Sequence, residues 1–410
     1  MAQVSQKTVQ GACDSRFELV RREFERNFAE RDEVGASVCI FHDGRKVVDL
    51  WGGLADPTTG KPWIEDTISV VWSSTKGATS LCAHILVDRG ELDLDAPVAK
   101  YWPEFAQGGK ENIPVRMLLN HQAGLAALRE PLPPGAFYDW QLMTAALAAQ
   151  TPWWEPGTRN GYHAYTFGWL VGEVVRRVSG RSLGTFFRDE VARPLELDFW
   201  IGLPEQAESR VAPVIPAPPP VPGEPVSPLL VVAMTQPESM QARLFLNTGG
   251  YGLVPGEVDS RAAHAAEIPA AGGITNARGL AGMYAALVAG SKHRLVGDTS
   301  IARMAAVSSA TGVDIVGLLP TRFSLGFVKS MDNRRVSAVP GDSIILSEEA
   351  FGHSGFGGSV GFVDPKAGFS FGYTMNRMGA GTGINERGQS LVDAAYTSLG
   401  YASNTSGAWI

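Results

Sequence analysis

Cysteine is scarce in this chain: Cys13, Cys39 and Cys82 are the only three in 410 residues. An odd number, widely spaced and without a Cys-x-x-Cys pair, argues against a disulfide scaffold or a zinc ribbon. Cys39 and Cys82 sit in apolar runs and read as small buried hydrophobes. No run of about 18 apolar residues is present, so nothing in the sequence is long enough to span a bilayer. No long Lys/Arg run exists either, which removes the footprint expected of a nucleic-acid binder. The first residues, Met1 to Asp14, lack the apolar stretch of a secretory signal. With Met1 as the natural start, a cytoplasmic location is expected. What remains is ordinary globular composition, 44% apolar and 19% charged with a net charge of -7, enough chain for a large core in one or two domains.

Hydrophobic spacing marks the elements. Phe17, Val20, Phe24 and Phe28 recur at helical intervals, predicting an amphipathic helix over Phe17 to Ala29. Asp43-Gly44 divides two apolar runs between Ala36 and Trp51, a strand–turn–strand signal. Helices are predicted over Ser73 to Arg89 (stopped by Gly90), Val115 to Asn120, Trp140 to Ala149, Trp169 to Val178, Leu280 to Leu287 and Ser390 to Leu399. Strands are predicted over Arg322 to Val328, Gly358 to Val363 and Gly368 to Met375. Eight prolines between Ala212 and Leu229 exclude helix there and make strand poor, predicting a long ordered loop beside a cleft. Strands at both ends and helices between imply an α/β (α+β) fold. Residues 1–72 and 300–410 would build one antiparallel sheet, and residues 73–299 a mainly helical domain that includes the loop.

Ser73-Ser74-Thr75-Lys76 opens one of these helices. Residues three apart share a helix face, so Ser73 and Lys76 can touch. A lysine activates a serine only where burial or neighbouring charge lowers its pKa, and a helix N-terminus adds to that effect. The Ser-x-x-Lys pairing is a known arrangement for acylation chemistry, but two fixed residues recur by chance, and the alternative is Ser73 as a helix cap with Lys76 a solvated first-turn residue. Ser74 is the rival, but its +3 residue is Gly77, which offers no base. Pro156-Gly157 marks a loop that delivers Tyr162, either a phenol that relays a proton or an anchor of the loop, with Tyr165 as the competing phenol and His163 as a base or, more often for a lone histidine, a structural residue. The run Phe351 to Ser359 is rich in glycine and precedes a predicted strand; such a loop can bring backbone N–H groups to an oxyanion.

Taken together and in this order, these segments resemble the serine β-lactamase and penicillin-recognising superfamily. They are most similar to class C β-lactamases and their esterase relatives, the family VIII carboxylesterases. Gly90 to Tyr101, Val115 to Leu125, Gly161 to Ala164 and Gly352 to Gly358 carry the likeness, which runs from about Phe17 to Leu399. The resemblance implies Ser73 as nucleophile, Lys76 as its base and Tyr162 as proton carrier. The N–H groups of Ser73 and Phe356 would form the oxyanion hole. His353-Ser354-Gly355 would stand where β-lactamases have Lys-Thr-Gly, and Trp72, Trp153 and Phe356 beside the motifs would help bind substrate. Two departures matter. Ala164 replaces an asparagine that holds a substrate amide, and His353 replaces a lysine that binds the β-lactam carboxylate. The expected activity is therefore hydrolysis of a small-molecule ester, without metal or organic cofactor and without a nucleic-acid or membrane partner. The rivals are a β-lactamase or D-alanyl-D-alanine peptidase, an acyltransferase of the same fold, and an inactive scaffold.

Overall fold

The computed structural model describes residues 9–219, 223–339 and 341–410. Seven antiparallel strands form the main sheet, six of them in the order Gln10–Cys13, Arg45–Asp56, Gly35–His42, Phe369–Met375, Val360–Asp364, Phe351–Ser354, with Lys61–Pro62 pairing off Arg45–Asp56. Both chain ends thus contribute, and Tyr373 opposite Val38 marks where they meet. The Asp43-Gly44 turn has φ of 49° and 71°, the left-handed pair that suits the twist of a tight hairpin.

One face of the sheet is covered by helices Glu18–Glu30 and Glu386–Ser398, which share a core with Phe17, Val20, Phe24, Val38, Tyr373 and Leu391. The other face carries helix Ala277–Ala285, which lies in the 73–299 segment yet packs on the sheet. Gly372 permits this closeness: a Cβ there would meet Ala277 O at 2.3 Å and Ala281 N at 2.7 Å. Beyond it, every residue from Thr75 to Leu86 of helix Thr75–Asp88 is buried, the condition of a helix wrapped on all sides. Helix Thr166–Ser179 and the short helix Leu183–Phe187 pack against it.

Several boundaries differ from the sequence expectations, each for a local reason. Ser73 lies in a 3-10 turn, Trp72–Ser74, ahead of the α-helix. Asn276 caps the helix at Ala277, three residues before the expected start at Leu280. The expected strand Arg322 to Val328 overlaps the observed strand Thr321–Phe323 only at Arg322 and Phe323, because Gly326 turns with φ 91°. Phe351–Ser354, expected as loop, is itself an edge strand. The proline-rich stretch ends in a helix, Pro228–Thr235, with Pro228 in its first turn, where a missing N–H costs nothing; Pro220 to Pro222 lie outside the described residues. A second sheet, Phe199–Ile201, Gly273–Thr275, Ile68–Val70 and Val211–Ala212, has strands too short to leave a periodic signal. Cys39 and Cys82 are buried. No helix among the described residues is long and apolar enough to cross a membrane.

Candidate active site

The second sheet presents the nucleophile turn. Val71 N–H donates to Gly273 O at 2.9 Å, and the chain then turns through Trp72 at φ 47°. A bulky L-residue in that region is strained, and such strain persists only where surrounding contacts over-determine it. Thr75 supplies two: its Oγ1 donates to Trp72 O at 2.5 Å and accepts from Gly273 N–H at 2.8 Å. Ser74, the rival nucleophile, is buried; its Oγ donates to His353 O at 3.3 Å and lies 3.2 Å from Ser359 Oγ. It pins the turn to strand Phe351–Ser354, while Ser73 faces a cavity.

Lys76 is fully buried, and its Nζ lies 2.9 Å from Ser73 Oγ, 2.6 Å from Ala164 O and 3.0 Å from Ala270 O. Burial holds its pKa well below the ordinary lysine value, with no acidic side chain acting on it. The three partners suit a neutral amine. Its two N–H bonds satisfy the two carbonyls, and its lone pair is left facing the Ser73 hydroxyl.

The Tyr162 phenol also acts on the Ser73 side chain, and burial raises its pKa, so it carries its proton in the resting protein. Its ring lies 4.9 Å from His121 and 5.9 Å, stacked, from Phe323, with Lys76 Nζ 4.9 Å from its centroid. His163 is structural: Nδ1–H donates to Gly161 O at 2.7 Å and Nε2 accepts from Leu125 N–H at 3.0 Å. Tyr165 lines the cavity too, but it packs on Phe137 and Tyr251.

Sequence reasoning missed Asp314, since one carboxylate in an unremarkable loop leaves no pattern. Fully buried, it accepts from the backbone N–H of Tyr162 at 3.1 Å, Val316 at 2.9 Å and Gly317 at 2.8 Å. Burial lifts its pKa to about 6 against the opposing pull of those bonds. It locks the loop that walls the cavity to the residue that carries the phenol. Asp314→Ala leaves three backbone donors unmet and is expected to destabilise the protein by about 3 kcal/mol in urea melts and to lower kcat. Asp314→Asn keeps the accepting oxygen without the buried charge and retains most of both. Equal losses in the two variants would refute the hydrogen-bonding role.

Gly355 lets the glycine-rich turn reach the nucleophile: a Cβ there would sit 2.2 Å from both Val71 O and Ser359 Oγ. The next residue, Phe356, lies edge-on to Trp72 at 6.0 Å, and its N–H has no partner among the described residues. The cavity, about 1040 Å³ including its open mouth, brings together Trp72, Ser73, Tyr162, His353, Ser354 and Phe356. Apolar walls come from Leu229 after the proline-rich stretch, from Leu244 and Phe245, and from Val316, Phe323 and Met331. Trp153 is not brought there. Its Nε1–H donates to Ala127 O at 2.7 Å and its ring lies beneath the Arg129 guanidinium at 3.6 Å.

The chain also contains a Gly-x-Ser-x-Gly pentapeptide, Gly180 to Gly184, the pattern of a nucleophile elbow on a strand-to-helix turn. Here it joins two helices. Ser182 caps Leu183–Phe187 and donates to Glu267 Oε1 at 2.6 Å. Ser182 is therefore a capping residue away from the cavity.

The chain is similar to known proteins over most of its length. The β-lactamase family model matches residues 20–395. Esterase/beta-lactamase LipL of Mycobacterium tuberculosis is 35% identical over 383 residues, covering 91% of this chain and 84% of LipL. The crystal structure of a family VIII carboxylesterase is similar with 38% identity and a TM-score of 0.82, covering 95% of this chain and 100% of that one. A penicillin-binding protein homologue from Caulobacter crescentus gives 36% identity and a TM-score of 0.82, over 95% and 100% of the two chains. With its antiparallel sheet flanked by helices and its Ser73–Lys76 turn at the centre, the chain belongs to the β-lactamase family.

Proposed function

We propose that the protein is a serine carboxylesterase acting through an acyl-enzyme on Ser73. The observation that carries this reading is the buried Lys76 amine, free of any acidic partner among the described residues and 2.9 Å from Ser73 Oγ. Neutral Lys76 takes the Ser73 proton as the oxygen attacks the ester carbonyl. The N–H groups of Ser73 and Phe356 receive the oxyanion. The Tyr162 phenol protonates the departing alkoxide and is re-protonated from the Lys76 ammonium. Water then attacks the acyl-enzyme, passing its proton to the same pair, and Ser73 leaves with a proton. The family VIII carboxylesterase and LipL relatives agree with this chemistry.

Ala164 supplies only its carbonyl, to Lys76, and His353 stays uncharged because burial lowers its pKa to about 3. Ala164 cannot hold a β-lactam side-chain amide, nor His353 a β-lactam carboxylate, as the residues they replace would. Steady-state rates on p-nitrophenyl butyrate and nitrocefin decide the matter. The ester is expected to be the better substrate, and a cephalosporin rate well above the ester rate would reverse the assignment. An added alcohol that raised ester product at the expense of free acid would mark an acyltransferase.

The pH dependence has a definite sign. Lys76 acts when deprotonated, so kcat/KM rises with pH as it loses its proton, at a pH well below 10.5, and Asp314→Asn removes the other group that ionises in this range, near 6. Burial lowers His163 to about 4 and His353 to about 3, so both are neutral above pH 5 and add no step there. A kcat/KM profile between pH 5 and 9 tests this: a rising limb centred near the ordinary lysine value would contradict it.

A further inference from the structure

Helix Val115–Leu119 ends in a turn that glycine usually makes. Asn120 is its C-cap, and Gln122 N–H reaches back to Met117 O at 3.1 Å, the bond that closes a helix through a left-handed residue. That residue is His121, at φ 65° and 1% exposed. Histidine tolerates the conformation better than most side chains, but glycine adopts it without strain. Such strain persists only where surrounding contacts over-determine it, and it clusters at functional sites.

The contacts of His121 run to both neighbours of the Tyr162 phenol. Its carbonyl accepts from Gly161 N–H at 3.1 Å, and its Nδ1 accepts from His163 N–H at 3.1 Å. Asp314 takes the N–H between them, so three consecutive backbone donors are held by two residues distant in sequence. Accepting through Nδ1 requires a lone pair there, which puts the ring proton on Nε2. Burial, helped by His163, Lys76 and His353, holds the imidazole pKa well below its ordinary value, so protonation does not remove that lone pair. The imidazole also packs 4.9 Å from the Tyr162 ring and 4.6 Å, edge-on, from Phe323, on which Tyr162 stacks. A glycine would make the same turn and offer the same carbonyl, but neither the Nδ1 acceptor nor the ring.

Resting on the esterase reading, we propose that His121 is a positioning residue for Tyr162: it fixes the backbone on both sides of the phenol and backs its ring, so that the hydroxyl meets the departing alkoxide. The test uses a difference between leaving groups. Ethoxide needs a proton to depart and p-nitrophenolate does not, so misplacing the phenol slows ethyl butyrate far more than p-nitrophenyl butyrate. His121→Phe keeps an aromatic ring and removes the acceptor. Its kcat/KM is expected to fall ~10²-fold on ethyl butyrate and less than ~10-fold on p-nitrophenyl butyrate. His121→Asn should stay within ~10-fold of the parent on ethyl butyrate, since its Oδ1 can stand where Nδ1 does and asparagine tolerates the left-handed backbone. In a Tyr162→Phe background, His121→Phe should cost nothing further on ethyl butyrate, because the hydroxyl it places is already gone. The ratio of the two rates is taken within one preparation, so partial unfolding does not alter it, and His121→Ala serves as the acceptor-free variant if the phenylalanine one does not fold. Equal losses on the two esters, an asparagine variant as slow as the phenylalanine one, or the same loss repeated in the Tyr162→Phe background would overturn the inference. If the protein itself turned over neither ester, the esterase reading would fall, and this inference with it.

Discussion

Replacing Lys76 with methionine is expected to lower kcat/KM on p-nitrophenyl butyrate by about 10³-fold, the middle of the range for a positioned base. Methionine fills nearly the same space and removes only the nitrogen. Ser73 would keep its place in the Trp72–Ser74 turn, which is held by Thr75 and Ser74 rather than by Lys76. Its hydroxyl would lose the lone pair 2.9 Å away, and no comparable base stands in for it among the described residues: burial holds His353 at about 3. The Tyr162 phenol is protonated, and His163 is committed through both ring nitrogens. Lys76→Arg should fare no better, because a guanidinium donates but cannot accept the serine proton. Initial rates on variants that melt cooperatively measure the effect. A methionine variant with a tenth of the parent activity would show that the proton goes elsewhere.

Gly355→Ala is the second large effect, and it acts through the backbone. The added Cβ would press on Val71 O and Ser359 Oγ at 2.2 Å each, so either the turn or the Val71–Ser73 segment must move. Either movement separates the Phe356 N–H from the oxygen that develops charge after attack by Ser73. Losing one oxyanion donor costs about 10²- to 10³-fold in kcat, and that is the expected loss, with KM changed far less. Stopped-flow acylation on p-nitrophenyl butyrate would place the deficit in the acylation step. Full activity in this variant would remove Phe356 from the oxyanion hole.

The two variants also separate what was legible in the sequence from what was not. Ser73 and Lys76 are three residues apart on one helical turn, so a local pattern sufficed to pair them. The environment that would make Lys76 a base is not local: Ala164 and Ala270 lie 88 and 194 positions away. The Asp43-Gly44 hairpin and the long amphipathic helices were readable because their periodicity spans many residues. The strands Ile68–Val70, Phe199–Ile201 and Gly273–Thr275, of three residues each, carry no period, yet they set the nucleophile turn. Trp153 lay beside a motif in sequence, but its indole is held by Ala127 and Arg129 instead. Asp314 ties its own loop to the backbone of Tyr162, 152 positions away, and nothing in its neighbours announces that partner. The Gly180 to Gly184 pentapeptide shows the converse, a nucleophile pattern whose serine is a helix cap.

The central claim is that Ser73 is the acylated residue. Treating the folded protein with an organophosphonate and mapping the adduct by peptide mass spectrometry tests it most directly. One phosphonyl group on Ser73, absent in Ser73→Ala, is the predicted result. An adduct on Ser74 or Ser182, or none in folded protein, would contradict it.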